Sequence, residues 1–353
     1  MRGPAAAAAV ATGLLFLGIV LPLMAGPAGG FAALLLIWAS SAIVALVFLR
    51  KGVKDVINAV GIGLLALALT ALASPQAMWQ VLLMTLQFWL PAIVVAWVLR
   101  ETVRLHWAIA AGAVVGMLAV LWLHVRLGDP EAFWQQMLTE HFRATGAMDV
   151  QGMDASVLQQ VTASMARIAT PATGIMLLLM AVTSVFLARA WQARLYNPGG
   201  FREEFHALFA GRNLAMAAAA VCILGLLMPS ALVRNLSLVI VVAFVFQGLA
   251  VVHALVRQRN MAQGWLAGIY VLMILPHTMI LLGALGIADN WLNIRRLPFD
   301  NGTGGNSSNG DKPDSEGSAG DATAGETTEA ADSARKSERK SQRKSDTDQT
   351  PPT

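Results

Sequence analysis

Charge is what this sequence has least of. Only 13% of its 353 residues are Asp, Glu, Lys or Arg, about half the share carried by a soluble globular domain. Residues 1 to 297 hold 18 basic and 10 acidic side chains, too few to solvate so apolar a chain, so a water-soluble globule is excluded. There is a single cysteine, Cys222. An intrachain disulfide is therefore impossible, and Cys222, inside an apolar run, reads as a small hydrophobe. Catalytic signatures are missing as well. There is no Gly-x-Ser-x-Gly, no Walker loop and no His-Glu-x-x-His, so the sequence points to neither an enzyme, a metal centre nor an ATP-driven pump within this chain. No cofactor is expected.

Long hydrocarbon runs are present instead. Nine of them stand between breakers, near 5–24, 28–49, 56–73, 81–99, 107–125, 171–190, 214–231, 236–256 and 265–285. Each approaches the roughly 20 residues that cross a bilayer as a helix. The fold class expected is all-α, a polytopic transmembrane helix bundle of about 8–9 spans. The first run follows Arg2 and resembles a signal peptide, but it is longer than a signal core and is read as a retained helix.

Basic residues set the orientation. Arg2, Arg50, Lys51, Lys54, Arg100, Arg104, Arg189, Arg194, Arg202, Arg212, Arg257 and Arg259 fall on one side of the nine-span topology. Arg126, Arg143, Arg167 and Arg234 fall on the other. The first side is read as the cytoplasm, in a bacterial inner membrane, with the N-terminus inside. The loop 126–170 is then outside, carrying two short amphipathic helices that lie on the surface or cap the bundle. Pro276 in the ninth run allows a kinked or re-entrant segment, which leaves the side of the C-terminus open. Residues 298–353 are rich in Gly, Ser, Asp and Thr with few apolar residues and are expected to be a disordered, charged tail. The transmembrane domain is 1–297. Its excess of arginine follows from membrane orientation, and no specific nucleic acid is expected as a partner.

Polar residues inside apolar runs are expensive in lipid and therefore informative. Gln87, Gln247, His253 and His277 are the candidates to line a ligand pocket, with interhelical hydrogen bonding as the alternative use. Gly112 and Gly116, with Ala108, form a small-residue helix face. Between the sixth and seventh runs lies "YNPGGFREEFHALFAGR", 196 to 212. Asn197, Pro198, Gly199 and Gly200 are turn chemistry. Phe201, Phe205, Leu208 and Phe209 recur at helical spacing with Arg202, Glu203 and His206 on other faces, which suits an interfacial helix with its apolar side in the membrane, and Arg202 and Glu204 are its candidate docking charges. The element 189–212 is thus a candidate docking surface for a partner on the cytoplasmic side.

"LYNPGGFREEFHAL", "LRKGVKDVINAVGIG" and "LGIADNWLNIRR" together resemble the signature segments of a bacterial membrane family, domain of unknown function 2232, also called YybS-like. The last segment carries Gly286, Asp289, Trp291 and Arg295 in the family's Gly-x-x-Asp-x-Trp-x-x-x-Arg pattern, with Asn293 where an aspartate is usual. That family is distantly similar to the substrate-binding S components of energy-coupling-factor transporters. The resemblance implies a small-molecule ligand and a separate coupling ATPase module as partner. The other reading of the chain is a membrane scaffold that assembles envelope proteins.

Overall fold

The computed structural model describes residues 4–70, 75–145 and 154–296. The expected tail, 298–353, lies outside them. Among the described residues the secondary structure is helical throughout: α1 Pro4–Lys51, α2 Val53–Thr70, α3 Pro75–Thr102, α4 Leu105–Leu127, α5 Pro130–Ala144, α6 Ala155–Tyr196, α7 Gly200–His206, α8 Arg212–Leu227, α9 Ala231–Gln258, α10 Gly264–Leu272 and α11 Pro276–Leu292, followed by a 3₁₀ turn at Ile294–Arg296.

Six stretches are long and apolar enough to cross a membrane, or seven if the bent pair α10–α11 is one span. The nine expected spans are corrected to that number. The expected third and seventh became α2 and α8, of 18 and 16 residues, and neither is among the candidate spans. The first and second are the two arms of α1, Ala5–Pro22 and Gly29–Lys51. In a straight helix, residues 11 and 40 would lie about 43 Å apart. Here Ser40 Oγ donates to the Ala11 carbonyl at 2.7 Å, so α1 folds back on itself. Ala7, Ala8, Ala11 and Leu15 are buried in the core, which makes the N-terminal helix part of the bundle.

The ninth expected run is broken where Pro276 stands. Helices α10 and α11 meet at 115°, because proline lacks the amide that would continue the ladder and disfavours helix in the residue before it.

The middle of the bundle is α9. Seventy-two per cent of its most apolar window is buried, against 28–50% for the other candidate spans. A helix apolar on every side belongs in such a position. It packs against α4, α6, α8 and, most extensively, α11. Glycines allow the closest approaches. A Cβ on Gly116 would lie 2.6 Å from the Gly174 carbonyl oxygen, and one on Gly112 would lie 2.5 Å from Val182. The small-residue face of α4 therefore meets α6.

The loop 126–170 also differs from expectation. Its first amphipathic helix is α5, capped by Asp129, whose Oδ1 accepts from Ala132 N at 3.1 Å. The second is no separate helix. It forms the first turns of α6, whose 42 residues extend about 63 Å, twice the ~30 Å hydrocarbon thickness. Helix α5 lies along that projecting end. Trp134 Nε1 donates to Thr170 Oγ1 at 3.0 Å, and Arg234 of α9 pairs with Glu131.

Candidate functional site

The Asn-Pro-Gly-Gly stretch forms the turn its composition suggests. Gly200 N donates to the Asn197 carbonyl at 3.0 Å. Gly199 sits at φ 93°, ψ −19°, the third position of a type II turn, which requires positive φ. The turn reverses the chain so that α7 runs back against α6. Arg189 of α6 then makes a forked pair with Glu204 of α7, its Nε donating to Oε2 at 3.0 Å.

Phe201 and Phe205 do not face lipid, as the sequence suggested. They turn into the bundle, each edge-to-face with Phe186 at 5.6 and 6.0 Å, while Phe186 also meets Phe246 of α9. Aromatic quadrupoles favour this geometry, and α7 gains more from burying its rings against α6 and α9 than from lying alone at an interface. Of the proposed docking residues, Asn197, Pro198, Gly199 and Arg202 are exposed, and Glu204 is committed to Arg189. Two variants separate these roles. Glu204→Gln should lower stability by about 1 kcal/mol, the upper range for a partly exposed pair. Arg202→Glu with Glu203→Lys should leave the melting temperature in detergent unchanged. A larger loss in the double variant than in Glu204→Gln would reverse the assignment.

The four candidate pocket residues do not converge. Gln87 is exposed on α3 and His277 is exposed on α11. Neither joins Gln247, so the single closed polar cavity expected from sequence is absent among the described residues. His253 belongs to the aromatic cluster, edge-to-face with Phe205, tilted against His206 and sharing a hydrogen bond with Tyr270 at 3.0 Å. Gln247 alone is buried, at 3% exposure.

Gln247 meets the last sequence motif. Gly286 is where α11 lies against α9 backbone to backbone. A Cβ there would fall 2.2 Å from the Phe244 carbonyl oxygen. One turn on, Asp289 is 1% exposed. Its Oδ2 accepts from Arg295 Nη2 at 2.8 Å and from Gln247 Nε2 at 3.2 Å, and its Oδ1 accepts from Ile294 N at 3.1 Å. Asn293 makes the return possible. It occupies the left-handed region at φ 46°, which asparagine tolerates better than most residues. The chain turns there and brings Arg295 back over the end of α11. Trp291 stays 41% exposed, as suits an indole at a membrane boundary.

The guanidinium of Arg295 continues to the stretch after α7. It donates to the carbonyls of His206 and Leu208. Gln247 Oε1 accepts from Ala210 N at 3.2 Å, and Asn290 Oδ1 accepts from Gly211 N at 2.9 Å. The two signature segments, far apart in sequence, thus form one structure: α11 and its turn clamp residues 206–211. Burial, with repulsion from His253, Arg202, Arg257 and Arg295, holds the His206 imidazole below its ordinary pKa. Asn290, 1% exposed, was missed in the sequence. Its signal was an amide near the end of an apolar helix, beside an acid.

Beside the clamp, α4, α8 and α9 enclose a half-open cleft of about 290 Å³. Ala113, Met117, Ala218, Val221 and Phe244 are among its walls. Gln247 and His106 are the polar side chains that reach it. Among the described residues no group of three or more His, Cys, Asp or Glu could hold a metal ion.

Spans of this length, a central helix apolar all round and a buried ion pair sealing one end define a multi-pass helical membrane protein. Its sequence matches the family described as "Predicted membrane protein (DUF2232)" over residues 9–290, and the chain belongs to that family. The match includes Asp289 and stops short of Arg295. Neither a search of curated proteins nor a search of solved structures returned a match.

Proposed function

We propose that this protein binds an apolar small molecule within the membrane and works as a partner-dependent transport component, without catalytic activity of its own. The observation that carries this reading is the cleft between α4, α8 and α9. It is concave, apolar and supplied with two polar side chains, the make-up of a small-molecule site. It is also half-open, which gives a ligand a way in. The cleft replaces the polar pocket expected from Gln87 and His277 and changes the ligand class from polar to apolar. Under this reading the coupling ATPase module is the partner, and the protein resides in a bacterial inner membrane with its N-terminus inside.

Ala218 and Ala113 are buried in the cleft wall. Ala218→Phe should fill the cleft and weaken binding of an uncharged fluorescent probe, dansyl-undecanoic acid methyl ester, by roughly tenfold or more, equal to losing about 1.4 kcal/mol. Ala220→Phe, on an exposed face of α8, should bind as wild type does. Equal binding by all three proteins in nanodiscs sinks the cleft assignment.

The second reading, a scaffold, draws on the exposed turn at Asn197, Pro198 and Gly199 with exposed Leu195 and Tyr196 beside it. Copurification of envelope proteins that depends on Arg202, with no probe binding, would favour it.

A further inference from the structure

Two consecutive helices that each cross a membrane run in opposite directions. Helices α9 and α11 run the same way. A Cβ on Gly283 would meet the Val241 carbonyl. One on Gly286, three residues on, would meet the Phe244 carbonyl, also three residues on. The far ends agree with this. Gln258 Nε2, at the end of α9, donates to the Arg295 carbonyl at 3.2 Å. Had α11 run against α9 from the Gly286–Phe244 contact, Arg295 would stand level with Asn235, roughly 35 Å from Gln258 at the helical rise of 1.5 Å per residue.

The return is made by α10. Its nine residues extend about 14 Å, less than half of the ~30 Å hydrocarbon thickness. It climbs back along α9. Tyr270 shares a hydrogen bond with His253 at 3.0 Å, and Met273 packs on the cluster of Val245, Leu249 and Leu282. The 115° bend between α10 and α11 is then an apex within the bilayer. Amides in hydrocarbon need partners inside the protein, and the apex supplies them. Met273, Ile274 and Leu275 N donate back to the carbonyls of Ile269, Val271 and Leu272, and Thr278 N donates to that of Leu275. Pro276 has no amide to satisfy. The side chains follow the same plan. Ile274 and Leu275, at the apex, are exposed and apolar. Trp265 and Trp291 are exposed at the two feet, and indoles favour the membrane boundary.

Both feet stand at the α7 end of the bundle. Arg295 donates to the His206 and Leu208 carbonyls, and the His206 ring lies 5.9 Å from that of His253. The Arg234–Glu131 pair, at the start of α9, marks the opposite end. We propose that α10 and α11 form a re-entrant hairpin, which enters the membrane from the α7 side and leaves it on that side. The bent pair is then not a span, and the chain beyond Arg296 begins on the same face as the Asn197–Gly200 turn. Residues 298–353 contain no apolar run that could cross back. A partner that docks at the turn therefore meets the C-terminal residues on the same surface.

The test uses single cysteines in the full chain, with Cys222→Ser as background, and a membrane-impermeant maleimide on inside-out and right-side-out vesicles. Pro198→Cys reports the α7 side. Gln159→Cys, on the projecting end of α6, reports the other. Asn301→Cys and Ser337→Cys lie beyond the bundle and leave its packing untouched. Both should label in the vesicles that label Pro198→Cys, and lose the signal in those that label Gln159→Cys. Ile274→Cys should stay unlabelled in both kinds of vesicle and label once detergent is added. If Asn301→Cys and Ser337→Cys label together with Gln159→Cys, the bent pair is a full span and the hairpin is overturned. If Ile274→Cys labels in intact vesicles of either kind, the apex lies at a surface and the dip into the bilayer is overturned.

Discussion

Gly286→Ala should unfold more of this protein than its size suggests. The added methyl would lie 2.2 Å from the Phe244 carbonyl oxygen and 2.9 Å from Gly248 N. Both are backbone atoms of α9, so no rotamer change relieves the clash and the helices must separate. Overpacking of this kind costs about 3 kcal/mol. The neighbouring contacts magnify the effect, because Gly248 meets the Leu282 carbonyl and Gly283 meets the Val241 carbonyl in the same crossing. Apparent melting in detergent should fall on the order of 5–10 °C. Gly268→Ala is the control. A Cβ there has nothing within 4 Å, and alanine is the better helix former, so its melting should match or exceed wild type. If the two variants melted alike, the tight α9–α11 crossing would be wrong.

The Asp289–Arg295 pair should behave as a unit. Its side chains are 2% and 15% exposed, so removing either partner leaves a buried charge without its counterion, a loss of about 3–5 kcal/mol. Asp289→Ala strands the guanidinium. Arg295→Ala strands the carboxylate with only Gln247 Nε2 and Ile294 N as donors, and it also unpins the carbonyls of His206 and Leu208. The double variant should cost less than the sum, with a coupling of about 2 kcal/mol. Thermal unfolding of the four proteins measures this cycle. Protease cutting near Phe209 should rise in Arg295→Ala before global unfolding. Strict additivity would mean the pair has no special role.

The parts of the fold that were legible share a physical cause. Apolar runs, the turn at Asn197–Gly200, the break at Pro276 and the small face of Gly112 and Gly116 are local. Each depends on what a few adjacent residues do to backbone or solvent. The span count was less legible because an apolar run does not fix how much of it is helix: the seventh run yields only the 16 residues of α8. Facing was hardly legible at all. In a chain apolar on all sides, no contrast between wet and dry faces marks the buried side. Gln87 and Gln247 therefore looked alike in sequence, yet one is exposed and the other sits in the clamp.

The motif shows the same limit. Asp289 and Arg295 are six residues apart, a spacing that does not share a helix face. They meet because Asn293 ends α11 in the left-handed conformation. That one dihedral converts two separated charges into an ion pair and aims Arg295 at a segment nearly ninety positions earlier.

The amino-acid sequence alone determined the solvent of this protein, its helical character, its main breaks and the segments in which its scarce polar groups are placed. Those follow from transfer free energies and local backbone sterics, which need no knowledge of neighbours. Only the tertiary structure decided which polar groups meet, that the pocket is apolar, and that α11 clamps residues 206–211. Contact between helices of equal hydrophobicity is chosen by close packing of small residues and by pairing of buried charges, and both exist only once the helices are side by side.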